Sequence, residues 1–428
     1  MNVFDLAIKR LKKAADYLKL DQDVINLLST PERTITLSVP YKKDSGKLEI
    51  IKGYRVQYNS LLGPYKGGLR FHRKVDMAEV CALGFWMMIK NAIADIPFGG
   101  GKGGLEIDPT KLSESELENL SRAFARKLAP NIGPNLDVPA PDVNTNSKIM
   151  DWMVDEYIKE VKGQKLKVKS DEDKLKAVLT GKSIANGGSL GREEATGMGG
   201  FFVLEKLVEK LNLKKPLTVA IQGFGNVGSN FAAILHDNGY KVVALSDVKG
   251  GIYDPNEEGF NIDMVKVCRL EKGVLAGCYC VGSVCDLAKN HEGDISNEEL
   301  LELPVDILVP AALESVITKD NAQKIKAKII FEMANGPTTF EADEILNKRN
   351  ILVIPDVLAN SGGVTVSFYE WYQNMHDEKW SRDEVNAKLK EKMESAFEEI
   401  WKIYNSKKMS FRDAAYILAL KRLVKKIS

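Results

Sequence analysis

Three lysines in the first quarter of the chain occupy positions that surface lysines rarely do. Lys66 lies in the glycine-rich stretch 63–68, and Lys90 is the only charged residue within 80–94. A buried ammonium group is costly unless an anion pairs with it, so Lys90 indicates an anionic partner; a snorkelling lysine at a helix end is the alternative. Lys102 lies among five glycines, and we expect a loop there that lets a ligand approach the backbone closely.

A carboxylate completes this set of candidate residues. Asp142 follows Pro139-Ala140-Pro141, and the two prolines restrict the backbone before it. An acid that merely stabilises a turn is the alternative interpretation. Together with the lysines, Asp142 predicts a cationic pocket for a small acid, with one lysine and one carboxylate left for proton chemistry.

A nucleotide-binding signature lies in the middle of the chain. The apolar run 217–221 predicts a buried strand, and 229–237 predicts a helix. Between them stand Gly223-Phe224-Gly225-Asn226-Val227-Gly228. Three glycines at this spacing are weak evidence alone, but between a strand and a helix they predict a turn that holds a pyrophosphate at the helix N-terminus.

Asp247 ends a second predicted strand, nineteen residues after Gly228. This is about the distance expected for an acid that binds a ribose hydroxyl group. Because a carboxylate repels a 2′-phosphate, Asp247 favours NAD over NADP as the cofactor. Lys249 could accept that phosphate, so NADP stays possible.

The elements that must position these residues predict an α/β protein with more than one domain. The second half alternates strands and helices, which is typical of a parallel sheet covered on both faces; its strands are expected at 217–221, 241–246, 305–309, 328–331 and 351–354. In the first half we expect strands at 33–39 and 48–57 and helices at 77–94, 114–129 and 147–160. From about Asp383 the pattern is again that of amphipathic helices. The lysine-rich stretch 161–176 is expected to be a surface excursion.

Composition excludes several classes of function. Of the 428 residues, 44% are hydrophobic and 28% charged, as in soluble globular proteins. The net charge of +1 gives no general reason to bind nucleic acid or an acidic membrane surface. No apolar run reaches the roughly 17–25 residues that span a bilayer, and no signal-peptide pattern is present. We expect a cytoplasmic protein.

Four of the five cysteines fall close together, at 268, 278, 280 and 285. Their spacing matches no familiar zinc pattern, and an odd number of cysteines in a long chain is not typical of a disulfide framework. We therefore expect scattered thiols in a variable loop, and no metal site.

Seven motifs in order resemble the glutamate/leucine/phenylalanine/valine dehydrogenase family, and within it the hexameric glutamate dehydrogenases of bacteria and archaea. They are the lysine segment 64–72, the glycine–lysine stretch 97–104, PAPDVNTN at 139–146, GREEATG at 191–197, GFGNVG at 223–228, ANGPTT at 334–339 and ANSGGVTVS at 359–367. The resemblance extends almost from end to end.

The resemblance implies a role for each matching residue. Lys102 and Asp142 would be catalytic. Lys66 and Ser367 would bind the side-chain carboxylate of glutamate and Lys90 its α-carboxylate, with Arg192, Asn360 and Gly363 lining the cleft. Thr196, Asn226 and Asn335 would contact the cofactor, in addition to the glycine turn and Asp247.

The resemblance also implies the reaction, the domains and the assembly. The reaction would be reversible oxidative deamination of L-glutamate to 2-oxoglutarate and ammonia, with closure between domains excluding water. We expect a substrate-binding and oligomerisation domain at 1–185, a Rossmann-like dinucleotide domain at 186–369, and C-terminal helices at 370–428 that return to the first domain, in a homo-hexamer.

Few residues depart from the family pattern. Two other interpretations of the function remain possible. Phe340 and Ser183 replace prolines, at positions that bear on loop shape or regulation and not on the reaction. A leucine- or phenylalanine-type dehydrogenase is the nearest alternative, but such enzymes usually lack a lysine at the position of Lys66. A catalytically silent regulatory protein is the other, and the intact Lys102 and Asp142 count against it.

Overall fold

The computed structural model describes residues 3–163, 172–282, 284–285 and 293–427. Residues 164–171, the middle of the surface excursion predicted at 161–176, lie outside the described residues. No described helix combines the length and the apolar character that a membrane crossing requires.

Contacts divide the chain into two compact units. Unit 1 comprises Met1–Glu193, Val364–Leu389 and Tyr416–Ser428, and unit 2 comprises Glu194–Gly363 and Lys390–Ala415. The C-terminal segment expected at 370–428 is therefore shared between the two units.

Unit 1 is built on a five-stranded sheet of order β1-β2-β4-β3-β5, in which β3 runs parallel to β4 and β5 and the other pairs are antiparallel. Its elements before residue 193 are α1 (Val3–Leu18), α2 (Gln22–Ser29), β1 (Arg33–Lys42), β2 (Leu48–Asn59), β3 (Tyr65–Phe71), α3 (Met77–Ile93), β4 (Gly100–Leu105), α4 (Glu114–Leu128), β5 (Asp137–Pro141), α5 (Ser147–Gly163) and α6 (Glu172–Lys176), with 3-10 turns at Pro109–Lys111, Ala129–Asn131 and Ile184–Asn186.

The helices of unit 1 begin where their sequence signals place them. Ser113 and Glu116 form a capping box at the start of α4, and Asp76 caps α3 by accepting a hydrogen bond from the backbone N–H of Glu79. Apolar side chains of α4 and α5, such as Phe124 and Met150, pack against strand residues in one hydrophobic core. The two predicted strands and three predicted helices of this half are confirmed, with ends that differ by a few residues.

The glycine–lysine stretch is not a loop, so that expectation is wrong. Gly100–Leu105 forms strand β4, with every residue buried and β2 and β3 as neighbours. A Cβ atom added to Gly100 would lie 2.5 Å from the carbonyl oxygen of Gly84 in α3. Glycines here let a helix backbone approach the strand directly, which fixes Lys102 instead of giving it the freedom of a loop.

Unit 2 is built on a seven-stranded sheet of order β11-β8-β7-β6-β12-β13-β14. Strands β7, β6, β12, β13 and β14 are parallel neighbours, and β8 and β11 add an antiparallel edge. Its elements are α7 (Ala195–Lys210), β6 (Thr218–Gln222), α8 (Asn226–Asp237), β7 (Lys241–Asp247), β8 (Gly250–Tyr253), α9 (Ile262–Lys272), β9 (Cys280–Val281), β10 (Val284–Cys285), β11 (Asp294–Ile295), α10 (Asn297–Leu301), β12 (Ile307–Pro310), β13 (Ile329–Phe331), α11 (Phe340–Lys348), β14 (Leu352–Ile354) and α12 (Asp356–Ala359). The five strands predicted for this half are confirmed as the parallel part of the sheet.

Three further helices complete the chain: α13 (Gly362–His376), α14 (Arg382–Ser406) and α15 (Phe411–Val424). The division between units falls at the start of α13, after Leu389 in α14 and before Tyr416 in α15. Helical structure from about residue 383 onward is confirmed.

The expectation of scattered thiols is also wrong, because the clustered cysteines form two disulfides, Cys268–Cys278 and Cys280–Cys285. Gly273 ends α9 in a left-handed turn that leads the chain back, so Cys278 returns to within 5.7 Å of Cys268 between Cα atoms. Cys280 and Cys285 face each other across the short β9–β10 ladder. The fifth cysteine, Cys81, is buried and free. Within the described ranges no group of three or more His, Cys, Asp or Glu residues is arranged to hold a metal ion.

Candidate active site

The buried Lys102 and the partly buried Asp142 form an ion pair in unit 1. Lys102 points from β4 and is 4% exposed, and Asp142 follows directly after β5. The Lys102 Nζ lies 2.9 Å from Asp142 Oδ1. The two residues are 40 positions apart in sequence, and they meet across β3, which lies between β4 and β5 in the sheet.

Arg70 holds the other oxygen of the same carboxylate. Its Nε donates a hydrogen bond to Asp142 Oδ2 at 2.8 Å, and its Nη1 pairs with Glu79 at the start of α3. The Asp142 carboxylate is thus held between two cations, each bound to a different oxygen, which fixes the orientation of the group toward Lys102.

Burial and charge displace the pKa values of this pair. Burial lowers the pKa of Lys102, Asp142 opposes that effect, and Arg70 and Arg55 add to the lowering; the net pKa lies below the ordinary lysine value. Burial alone would raise the pKa of Asp142, but the charges of Lys102 and Arg70 outweigh it and hold that pKa well below the usual range. Asp142 is therefore an anion, and Lys102 is a lysine that loses its proton more readily than an exposed one.

Lys66 lies in β3 and is 1% exposed. Its Nζ donates a hydrogen bond of 3.0 Å to the carbonyl oxygen of Val138 in β5. Burial lowers the pKa of Lys66 well below its ordinary value, and the charges of Arg192 and Arg55 lower it further.

Arg192 and Ser367 join Lys66 to form a second cluster in unit 1. Arg192 Nε donates to Ser367 Oγ at 3.0 Å, which connects residues 175 positions apart in sequence. Burial lowers the pKa of Arg192, with Glu370 acting in the opposite direction. Glu370 already pairs with Lys182 at 2.6 Å and accepts the backbone N–H of Gly181.

Lys66 and Arg192 therefore carry two cationic groups that share no counter-ion. Of the carboxylates that the structure describes, none lies within ion-pairing distance of either side chain. Buried charges in proteins are normally paired. Because Lys66 is buried and Arg192 is partly buried, two such neighbouring cations without an anion indicate a site for an anionic group. The Ser367 hydroxyl supplies a neutral donor beside them.

A buried ion pair supports the strand that carries Lys66. Arg55 and Asp137 have no exposed side-chain surface and are joined by two hydrogen bonds. Arg55 Nη1 also donates to the carbonyl oxygen of Gly67 at 3.1 Å, and Gln57 donates to Asp137 at 2.9 Å. These contacts join β2, β3 and β5 beneath Lys66 and fix its backbone.

Lys90 is 6% exposed in the last turn of α3. Met87, one turn earlier, lies beside Gly67, where an added Cβ would be 3.1 Å from its Cγ. The helix that carries Lys90 therefore packs against the strand that carries Lys66.

The glycine turn of unit 2 has the features that a pyrophosphate requires. It connects β6 to α8, which begins at Asn226. A Cβ added to Gly225 would meet nothing within 4 Å, so the backbone there faces open space. A Cβ added to Gly228 would lie 1.8 Å from the carbonyl oxygen of Gly223, so only glycine lets the helix pack on the turn. The residues present fit a dinucleotide.

Asp247 ends β7, the strand beside β6 in the sheet. Its Oδ1 accepts the backbone N–H of Lys249 at 2.8 Å, and its Oδ2 accepts that of Leu275 at 2.9 Å. The side chain is 8% exposed, and Arg269 Nε lies 3.7 Å from Oδ2.

The remaining candidates of unit 2 lie on neighbouring elements. The Asn360 Nδ2 donates to Asn335 Oδ1 at 3.1 Å and to the carbonyl oxygens of Met333 and Ala334 at 3.2 Å. Thr196 lies in the first turn of α7, and Gly363 lies in the first turn of α13. Gly362, beside Gly363, packs against the backbone of Ala195, beside Thr196.

Sequence reasoning missed two arginines that contact candidate residues. Arg70 lies in the same glycine-rich motif as Lys66, and its position in that motif was a signal that could have drawn attention to it. Arg269 stands 22 positions after Asp247 in an ordinary helix sequence, and no pattern pointed to it.

Comparisons with known proteins identify the family of the chain. Residues 31–159 match the model of the Glu/Leu/Phe/Val dehydrogenase dimerisation domain, and residues 187–428 match that of Glutamate/Leucine/Phenylalanine/Valine dehydrogenase. The chain is 47% identical to an NADP-specific glutamate dehydrogenase of Synechocystis sp., over 99% of this chain and 96% of the relative. It is 44% identical to an NAD-specific glutamate dehydrogenase of Staphylococcus aureus, over 96% of this chain and 94% of the relative.

Its fold is also that of a solved structure, the hetero-hexameric glutamate dehydrogenase of Thermus thermophilus in a leucine-bound form. The TM-score is 0.89 and the sequence identity 32%, with 99% of this chain and 96% of that chain covered. The protein belongs to the glutamate/leucine/phenylalanine/valine dehydrogenase family.

Proposed function

We propose that this enzyme is a glutamate dehydrogenase, which converts L-glutamate and NAD or NADP reversibly into 2-oxoglutarate, ammonia and the reduced cofactor. The observation that carries the proposal is the pair of cations at Lys66 and Arg192, which have no counter-ion in the part of the chain that the structure describes, with Ser367 beside them. Near-full-length relatives that act on glutamate support it.

In this proposal the side-chain carboxylate of glutamate binds Lys66, Arg192 and Ser367. A carboxylate accepts hydrogen bonds on both oxygens, and charge-assisted bonds to arginine and lysine are the strongest of them. Binding would supply the missing counter-charge and raise the pKa of Lys66 toward its ordinary value. Lys90, buried in α3, binds the α-carboxylate, so that both ends of the substrate are held by cations.

Lys102 and Asp142 carry out the proton chemistry. A nicotinamide cofactor bound at unit 2 would supply the acceptor for the hydride of the glutamate α-carbon. Lys102, with its lowered pKa, can take a proton from a water molecule more readily than an exposed lysine would, and it directs the attack of that water at the imine carbon. Asp142, 2.9 Å away, stabilises the protonated lysine and passes protons until ammonia leaves.

The dinucleotide binds unit 2. The turn 223–228 and the N-terminus of α8 would hold the pyrophosphate, and Asp247 would bind the adenosine ribose. Thr196, Asn335, Asn360 and Gly363 would contact the nicotinamide half or the substrate, as the family resemblance implies. The buried Oδ1 of Asn360 has no hydrogen-bond partner among the described residues and could accept one from a ligand.

The proposed assembly is a homo-hexamer in which unit 1 makes most of the subunit contacts. The match of residues 31–159 to a dimerisation domain supports this role for unit 1. The hetero-hexameric relative of known structure supports the number of subunits.

A leucine- or phenylalanine-type dehydrogenase is the second candidate, because it shares the family and the chemistry. An apolar side chain would leave Lys66 and Arg192 buried and without an anion, at a cost in binding free energy. The cationic cluster therefore favours glutamate.

Steady-state kinetics of the purified protein test the proposal. We expect kcat/KM for glutamate to exceed that for leucine, norleucine and phenylalanine by at least about a hundredfold, since a site that pairs a substrate charge rejects analogues that lack it. Equal or better turnover of an apolar amino acid would assign the enzyme to the second candidate.

A further inference from the structure

The family identity leaves the choice of cofactor open, since one close relative is NADP-specific and another NAD-specific. In unit 2 the side chain of Arg269 lies between the glycine turn and the end of β7. Its guanidinium carbon is 5.9 Å from the ring centroid of Phe224, the second residue of the turn. Its Nε is 3.7 Å from Asp247 Oδ2. In this fold the adenosine ribose lies between those same two places.

The contact between Arg269 and Asp247 is loose. At 3.7 Å it is too long for a hydrogen bond, and the buried Nε of Arg269 has no hydrogen-bond partner among the described residues. The side chain of Arg269 is 41% exposed, and partly exposed ion pairs contribute little to stability. Arg269 is therefore a cation with an unused donor beside the expected position of the ribose.

Asp247, by contrast, is already engaged. Each of its oxygens accepts a backbone N–H, from Lys249 and from Leu275. The segment that supplies Leu275 is held by the Cys268–Cys278 disulfide and by a hydrogen bond of 2.8 Å from Lys272 Nζ to the carbonyl oxygen of Gly277. These hydrogen bonds fix the Asp247 carboxylate, so it cannot rotate away from a 2′-phosphate. A neighbouring cation must therefore offset its negative charge if that phosphate is to bind.

The charged side chains around the ribose position have a net positive charge. Asp247 contributes one negative charge, and Arg269 and the exposed Lys249 contribute one positive charge each. A lone carboxylate at this position would repel a 2′-phosphate, but Arg269 offsets that repulsion and can donate to the phosphate oxygens in a planar, bidentate geometry.

We propose that Arg269 is a specificity-determining residue that lets this enzyme bind NADP in addition to NAD, by pairing with the 2′-phosphate beside Asp247. The inference rests on the proposed dinucleotide site at the turn 223–228. It concerns only the phosphate by which the two cofactors differ, so Arg269 should matter little for NAD.

Two small nucleotides test the inference without turnover. Adenosine 2′,5′-bisphosphate carries the 2′-phosphate of NADP, and 5′-AMP lacks it; the Kd of each is measured by calorimetry on the full-length protein, with displacement of NADH as evidence that they share the dinucleotide site. We expect Arg269→Gln to weaken the bisphosphate at least about tenfold and to change the Kd of 5′-AMP less than about twofold. Arg269→Lys should restore part of the bisphosphate affinity, because it keeps the charge but not the bidentate fork.

Lys266→Gln is the matched control, since it removes one cation from the same helix, next to Asp263 and not Asp247. It should leave both Kd values unchanged. Equal weakening of both nucleotides by Arg269→Gln would make Arg269 a structural residue, and selective weakening of 5′-AMP would show that it serves the ribose; either result overturns the inference. A parent protein in which neither nucleotide displaces NADH would instead contradict the proposed dinucleotide site.

Discussion

At the scale of single residues, the chemistry depends on which charged side chains of the site have a partner of opposite charge and which do not. Asp142 is held by two cations, whereas no carboxylate of the described residues pairs with Lys66 or Arg192. The first arrangement keeps a base ionised and oriented, and the second reserves a place for a substrate carboxylate. Two clusters within unit 1 thus have opposite electrostatic requirements.

The unpaired cluster predicts a change of substrate preference. Lys66→Leu should lower kcat/KM for glutamate at least about tenfold, because one charge-assisted hydrogen bond is worth roughly 1.5–3 kcal/mol. It should also raise the activity on norleucine relative to glutamate, and Ser367→Val should act in the same direction more weakly. Kinetics with both substrates in each variant measure the effect.

Lys52→Leu is the control for that experiment, since Lys52 is an exposed lysine of β2 and its loss should alter neither substrate. An equal loss for glutamate and norleucine in Lys66→Leu would assign Lys66 to the α-carboxylate or to the structure alone.

The paired cluster predicts a change in pH dependence. Arg70 is one of the cations that lower the pKa of Lys102, so Arg70→Gln should raise that pKa. Because the neutral lysine is the active form in oxidative deamination, the acidic limb of the kcat/KM profile for glutamate should move to higher pH. Arg73→Gln, which removes a nearby exposed arginine, should not move it. A shift to lower pH, or a uniform loss at all pH values, would contradict this role of Arg70.

At the scale of elements, the sequence predicted the helices and strands that have a clear apolar pattern. Helix α3 and the parallel strands of unit 2 were predicted to within a few residues because each is a nearly continuous apolar run of the length typical of a buried helix or a buried strand. Strand β4 was predicted as a loop because its glycines have no strand propensity. Only the close approach of α3 and of the neighbouring strands explains them, and that is a tertiary contact no local pattern contains.

The site was also predicted incompletely, because some of its contacts join residues that lie far apart in the sequence. Lys66, Lys102 and Asp142 were identified from their setting and the family motifs. The role of Arg70 in holding Asp142 depends on which strands are neighbours, and the position of Arg269 beside Asp247 depends on how helix α9 packs near the end of β7. The disulfides were missed because the spacing of four cysteines does not reveal the left-handed turn and the ladder that bring them together.

The Cys268–Cys278 disulfide predicts a local loss of stability on reduction. Opening a closed loop of about ten residues should cost about 2–3 kcal/mol by the chain-entropy estimate, concentrated in α9 and the segment 273–278. Hydrogen exchange of these amides with and without reductant measures the effect, and exchange should become faster in reductant.

The double variant Cys268→Ser/Cys278→Ser provides the control, because its amides in the same region should exchange at the faster rate in both conditions. Protection that is equal in the reduced and oxidised parent would show that this disulfide contributes nothing to the order of the segment.

At the scale of the whole molecule, the residues proposed for the reaction and those proposed for cofactor binding belong to different units. The residues proposed for proton transfer and carboxylate binding, Lys102, Asp142, Lys66 and Arg192, all belong to unit 1. The glycine turn and Asp247 belong to unit 2. A change in one unit should therefore affect its own task and leave the other task intact.

Replacing Lys102 tests this account most directly. In Lys102→Ala, kcat for glutamate oxidation should fall at least about a hundredfold, the range that general acid–base catalysis supplies, while the Kd of NADH, measured by fluorescence, should stay within about twofold of the parent value. Lys111→Ala, at an exposed lysine of the same unit, should change neither quantity. Turnover by Lys102→Ala within a few-fold of the parent enzyme, with NADH binding unaltered, would contradict the account, because it would remove Lys102 from the reaction.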